Sequence, residues 1–366
     1  MKISNSKKCS LKIATLILSC WLVLLCFTDI KASDEIVYKA YQLRMNGQAD
    51  SAKVLLEKIL SEDSSNAEAW FELARTKHHI GLGNPRQLFS GLDDLKHSIQ
   101  KAVNNEPDNI IYGYYNGSVT FLLAYASMMG QQPDAKQKLE STFTAYESLL
   151  KIKPDYKEAM LFLVEALSAP EDMGGNSSEA QKYADKLAKL DPVFGAKARE
   201  LILPEDADRI EYWKNALAEN KGNPDITEQL GKACLYQGKI DEGEQYLEKA
   251  IQMDSRKNIL LMDLARFYLI QSHQDTALAK SVLPKADQRI DQFLETNPVR
   301  PVRAFALNMQ SGIKQMLGFA EEADTLRAEA NRLDPNVSKA FAVPGEILFS
   351  PPDEVSHYHS YFFRPF

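Results

Sequence analysis

The side chains best equipped for chemistry in this 366-residue chain are the pairs His78-His79 and His357-x-His359 and four cysteines. Neighbouring positions on a helix point about 100° apart, so His78 and His79 are poorly set to share one metal ion. His357 and His359 follow Asp353 and Glu354. In an extended segment they could chelate a metal, but two histidines and distant carboxylates fall short of a four-ligand set, and a solvated tail is the plainer reading. Cys9, Cys20 and Cys26 lie near the N-terminus, leaving Cys234 alone in the rest of the chain. No disulfide framework can be built from one thiol. Cys234 falls at a core-facing position of its helical pattern, where a buried inert thiol is expected rather than a nucleophile. Gly81-Leu82-Gly83 runs into Asn84-Pro85 and opens no phosphate loop, and neither Gly-x-Ser-x-Gly nor His-Glu-x-x-His occurs. The expectation is a protein that is not an enzyme and uses no cofactor and no metal.

Charge narrows the partners. The first 32 residues carry Lys2, Lys7, Lys8, Lys12 and Lys31 against Asp29; without them 43 bases and 50 acids become 38 and 49, and the net charge moves from −7 to −11. An acidic chain of this kind lacks the concentrated Lys and Arg that phosphate backbones require, so nucleic acid is set aside. Anionic lipid would repel it. The first 12 residues are polar and basic, Ile13 to Phe27 is almost unbroken apolar sequence, and Lys31-Ala32-Ser33 follows. That order reads as a secretory signal peptide over residues 1–32, with cleavage after Ala32. An uncleaved signal anchor is the alternative. Ile17-Leu18-Ser19-Cys20 resembles a lipobox, but Trp21 to Phe27 stay apolar where a mature lipoprotein turns polar. Membrane contact is expected only through this signal or a membrane-bound partner. Export without disulfides fits a bacterial periplasm.

Beyond the leader, small and large residues recur at about 34 positions. Counted from Pro224 as position 1, Leu230 is 7, Gly231 is 8, Gly243 is 20, Leu247 is 24 and Ala250 is 27; one period later Leu264, Ala265 and Tyr268 stand at 7, 8 and 11. Ala40 and Ala74 are also 34 apart, with Trp70 and Leu73 before the second. Prolines at 107, 154, 192, 298 and 335 stop second helices. This pattern resembles the tetratricopeptide repeat. The resemblance is strong over 34–76 and 224–297 and weaker over the rest of 34–335. It implies an all-α, right-handed superhelical solenoid of helix pairs, in which positions 8 and 20 are small because the two helices cross there.

The elements that must position any functional residue are therefore helix pairs near 34–62, 67–106, 109–153, 157–191, 224–254, 258–297 and 301–334. Five segments result: a signal peptide (1–32), an N-terminal repeat block (33–192), an irregular helical connector (193–223), a C-terminal repeat block (224–340) and an aromatic, proline-containing tail (341–366). Insertions depart from the template between Ala74 and Leu95 and between Ala265 and Ala286, and Gly174-Gly175 marks a tight turn. Insertions in solenoids fall in loops on one side, as working surfaces or as neutral drift. The tail ends Tyr358-His359-Ser360-Tyr361-Phe362-Phe363-Arg364-Pro365-Phe366. So many rings would not remain in water unpaired, and the segment is expected to pack back on the array or to dock on a partner.

In repeats of this family, first-helix positions 2, 5, 9 and 12 line the concave face. Carried over by position, the resemblance implies Arg44, Glu68, Phe71, Arg75, His78, Ile111, Tyr114, Phe121, Lys232, Met262 and Arg266. From these Arg44, Phe71, Arg75, His78, Tyr114, Lys232 and Arg266 are expected to bind a partner, the bases meeting carboxylates and the rings serving as apolar anchors. Two functions stay open. The first is an exported scaffold that binds a peptide or protein in its groove. The second is a small-ligand carrier resembling the T component of TRAP-type transporters, which a closed cavity lined by Tyr112, Tyr114 or Tyr115 would favour.

Overall fold

A computed structural model describes residues 35–340 apart from 172, 173 and 276. The leader, His357, His359 and the aromatic tail lie outside the described residues. No strand occurs among those described, and none of their helices is long and apolar enough to cross a membrane.

Consecutive helices fold back on one another. The first pair is α1 (35–45) with α2 (Ala49–Glu62), and the second is α3 (Ala67–Leu82) with α5 (Leu92–Asn105). A short helix, α4 (Pro85–Ser90), is inserted between α3 and α5. Then come α6 (Ile110–Met129) with α7 (Ala135–Ile152) and α8 (Lys157–Leu167) with α9 (Ser177–Leu190). Helices α10 (Pro192–Leu201) and α11 (Arg209–Glu219) hardly touch: α10 packs on α9 and α8, and α11 packs on α12 (Pro224–Tyr236). The array continues with α12 and α13 (Ile240–Met253), α14 (Leu260–Gln274) and α15 (Ala279–Glu295), and α16 (Arg300–Leu317) and α17 (Ala320–Leu333). A 3-10 turn, Val337–Lys339, follows α17.

Local sequence explains most boundaries. Asn66, Asn109, Asn176, Asp208 and Asn223 precede helices and accept hydrogen bonds from amides of the first turn, the role in which short polar side chains outperform alanine by about 1 kcal/mol. Asp191 caps α10 in the same way, and Pro192 both ends the run of α9 and supplies the first residue of α10. Inside the 170–176 loop, Gly174 has φ +94°, and a Cβ on Gly175 would collide with the Ala169 carbonyl, so both glycines are required by the turn.

Packing accounts for the repeat. A Cβ on Gly231 would stand 3.0 Å from the Gly243 carbonyl oxygen and 2.8 Å from the Leu247 side chain. A Cβ on Gly243 would likewise stand 3.0 Å from the Gly231 carbonyl and 2.7 Å from Leu235. The α12 and α13 backbones thus cross at repeat positions 8 and 20, as the helix-packing reading requires. Gly117 of α6 does the same job against the ring of Tyr146 in α7, at 2.8 Å. The chain has the tetratricopeptide-type fold, an all-α solenoid of stacked pairs.

One feature of the architecture has no counterpart in the repeat pattern: the last pair touches the first. The Leu333 carbonyl fills the space a Cβ would need on Gly47, which sits at φ +76° in the α1–α2 turn. Gly83, just after α3, is met by Asn336 at 3.0 Å, and Leu82 joins Val337, Ala340 and Met262 in one apolar cluster. The insertion that begins at Gly81 therefore serves the seam between the two ends.

Candidate functional site

The seam holds the densest set of buried polar side chains. Glu72 of α3 accepts from Arg44 Nε of α1 at 2.7 Å and from Arg75 Nε at 2.9 Å, and all three side chains are wholly buried. Burial alone would raise the Glu72 pKa, but the two guanidiniums outweigh it and hold the carboxyl below its ordinary value. Both arginines also lie over rings: Arg44 and Arg75 over Tyr41, and Arg75 over Phe71 at 4.8 Å from its centroid.

His78 and His79 diverge, as adjacent positions on a helix must. His78 Nδ1 shares a hydrogen with the Tyr115 hydroxyl at 2.9 Å, and its Nε2 is buried without a hydrogen-bond partner. Burial lowers the His78 pKa to about 4, with His79 and Arg44 adding to the effect. His79 Nε2 lies 2.7 Å from Asp334 Oδ2, across 255 positions of sequence. Burial depresses the His79 pKa against the pull of Asp334. Asp334 is itself held low: burial opposes, but His79 and the amides of Val337 and Asn336 prevail. A carboxylate can only accept, so the His79 ring carries its hydrogen on Nε2.

A second buried network sits in the C-terminal half. Lys257 donates to Glu228 at 2.7 Å and to Asp225 at 2.9 Å, while Lys232 donates to Glu228 at 2.7 Å and faces Asp263 at 3.7 Å. Between the two networks in sequence, rings pack on one another and under lysines. Tyr114 meets Tyr146 and Tyr156, Phe121 meets Phe162 at 5.2 Å, and Lys157 and Lys197 lie over Phe194.

The structure separates the seven residues inferred for partner binding into two groups. Tyr114, Lys232 and Arg266 are half-buried. Arg44, Phe71, Arg75 and His78 are buried, as is Met262, and their expected role as an open groove lining is corrected on this point. Two arginines converging on one carboxylate, and Phe71 packed against Tyr112 at 4.7 Å and Tyr115 at 5.7 Å, make this part of the inner face a core. Tyr112 and Tyr115 are buried beside it. Glu68, Ile111 and Phe121 are half-buried. Cys234 is buried and free, and burial raises its thiol pKa, which suppresses thiolate chemistry. Among the described residues no group of three or more His, Cys, Asp or Glu is placed to hold a metal ion.

The sequence singles out His79 only as a poor metal ligand; its pairing with Asp334, and Glu72 as the partner of Arg44 and Arg75, were not foreseen. Glu72 had a readable signal, being one helical turn before Arg75. Asp334 had only its place in a Leu-Asp-Pro turn, which says nothing of a partner 255 residues away.

No protein-family profile matches the chain, and no curated protein matches it. Solved structures do. It is similar to MamA (20% identity, 62% of this chain and 93% of that one, TM-score 0.28) and to PilW, a widely conserved type IV pilus biogenesis factor (17%, 74% and 93%, TM-score 0.29). It is also similar to a tetratricopeptide repeat protein from Parabacteroides merdae (16%, 83% and 93%, TM-score 0.35). What makes the chain an array of this type is its own geometry, above all the glycine crossing of α12 and α13.

Proposed function

We propose that this chain is a binding scaffold that takes an extended segment of a protein or peptide along the inner face of its first helices. The observation that carries the reading is the series of half-buried rings and bases on helices along the array: Tyr114 and Phe121 on α6, Phe162 on α8, Phe194 on α10, Lys232 on α12 and Arg266 on α14. Rings along the array give apolar anchorage with few rotamers to freeze, and the paired charges of Lys232 with Glu228 and Asp263 favour a segment with polar groups of its own. Arg44, Phe71, Arg75 and His78 support that face from behind. Delivery through the 1–32 leader to a periplasmic site belongs to the same proposal.

A second reading has its own support. The first and last pairs meet through Gly47 against Leu333 and through His79 against Asp334, a joining of the array's ends that would suit a small-ligand carrier. The two part in one experiment. The mature protein is used as bait in an envelope extract, with mass spectrometry of both captured proteins and retained small molecules. The scaffold reading expects a captured protein whose binding falls at least tenfold with Arg266→Glu or Phe121→Ala. A retained small molecule with no such protein overturns it in favour of the carrier.

A further inference from the structure

We propose that Lys96 is a nucleophilic amine and a site of covalent acylation, taking its acyl group from a small activated donor of the acyl phosphate class. The inference is independent of the inner-face reading and stands on the contact between α5 and α6.

Lys157, Lys197 and Lys314 are half-buried, and each reaches a carboxylate within 3.4 Å; the buried Lys257 reaches two. Lys96, on α5, is half-buried as well, yet no carboxylate of the described residues lies within ion-pair distance of it. Its Nζ donates instead to Asn116 Oδ1 at 2.6 Å and to Thr120 Oγ1 at 2.5 Å, both on α6. Sequence explains the missing counter-ion: the 20 residues of α6 include no Asp, Glu, Lys or Arg. On α5 itself, Asp94 is taken by Lys77 at 2.7 Å, and Asp93 is exposed. On α3, which packs against α5, Glu72 is enclosed by Arg44 and Arg75.

The two oxygens suit an uncharged amine. Thr120 Oγ1 gives its own hydrogen to the Asn116 carbonyl at 2.7 Å, so toward Nζ it can only accept. Asn116 Oδ1 is an acceptor too. Together they take both N–H bonds of a neutral amine and leave its lone pair unused. An ammonium would add a third N–H and a charge with no counter-ion, and burial pushes the amine down to about 8. About one Lys96 side chain in ten is then neutral at pH 7, against roughly one in 2,500 for an ordinary lysine. The lone pair adds to the acyl carbon of the donor. A C–N bond forms, the C–O bond to phosphate breaks, inorganic phosphate leaves with that electron pair, and nitrogen releases one proton to water. The product amide has one N–H left for two buried oxygens, so acylation loosens the joint between the second and third helix pairs.

The test uses the whole folded chain. It is treated with acetyl phosphate at a series of pH values, and the acetylation rate of each lysine is read by peptide mapping and mass spectrometry. At pH 7 Lys96 should react at least tenfold faster than the exposed Lys101 and Lys249. Its rate should level off above pH 8, while theirs continue to rise toward pH 10. Asn116→Asp sets a carboxylate where an amide oxygen now stands 2.6 Å from Nζ, at almost unchanged volume. That variant should bring Lys96 down to the rate of the exposed lysines or below. A Lys96 rate in the parent no greater than those of Lys101 and Lys249 overturns the proposal without any variant. So does an advantage that survives in an Asn116→Asp protein whose circular dichroism matches the parent.

Discussion

Replacing His79 with leucine removes the donor that holds the two ends of the array together, and its cost can be worked from the seam. Asp334 is fully buried, with His79 Nε2 at 2.7 Å from Oδ2 and the Asn336 and Val337 amides at 3.0 and 2.9 Å from Oδ1. His79→Leu keeps similar bulk but leaves Oδ2 without that donor. A hydrogen bond to a charged group is worth about 1.5–3 kcal/mol, so the seam should open roughly 10- to 150-fold more often, at 1.4 kcal/mol per factor of ten. The readout is hydrogen exchange of the amides from Asn336 to Ala340 and in the last turn of α3. Amides of α8 and α9, whose core clusters contain no seam residue, serve as the internal control. The deficit carries a pH signature. Without His79 the Asp334 pKa climbs, so the buried carboxylate is neutralised at a higher pH than in the parent, and the difference between the two proteins shrinks as pH falls from 7 toward 4. Unchanged exchange at 336–340, or a uniform loss of protection that includes α8 and α9, would refute the reasoning.

Three further outcomes follow. The parent should lose stability on acidification: the folded His78 pKa of about 4 lies below its unfolded value, so the unfolded chain binds the proton first and stability present above pH 6.5 drains away toward pH 4. The loss from this group alone is about 3 kcal/mol at 1.36 kcal/mol per unit, and urea midpoints that coincide at pH 7.5 and 5 would contradict it. Gly231→Ala forces a methyl against Gly243 and Leu247 and should cost about 1–3 kcal/mol, whereas Gly312→Ala on the exposed side of α16, with nothing within 4 Å, should gain up to about 1 kcal/mol. Equal denaturation midpoints for the two alanine variants would rule out the crossing as the reason for a small residue. Lys257→Met strands Glu228 with Lys232 and Asp225 with Lys197, so the loss should be near the lower end of the roughly 3–5 kcal/mol typical of breaking a buried pair; thermal unfolding that moves by less than a degree would show the network to be dispensable.

What the sequence by itself determined is everything local or periodic. Helix crossing needs a small residue at a fixed spacing, so Gly231 and Gly243 declare the α12–α13 pair before any coordinate is known. Asn66, Asn109, Asn176 and Asn223 announce helix starts, because a cap is a contact between residues two or three apart. The divergence of His78 and His79 was likewise readable from helix geometry. Burial at the seam was not. The resemblance implies that first-helix positions 2, 5, 9 and 12 face inward, but whether that face meets water depends on how far the whole array curves. Each pair adds a small rotation to the last, and the sum decides whether α17 and the turn after it arrive beside α3. Only the tertiary structure carries that sum. It turns Arg44, Arg75 and Glu72 into a buried triad, pairs His79 with Asp334, and leaves Tyr114, Lys232 and Arg266 half-buried.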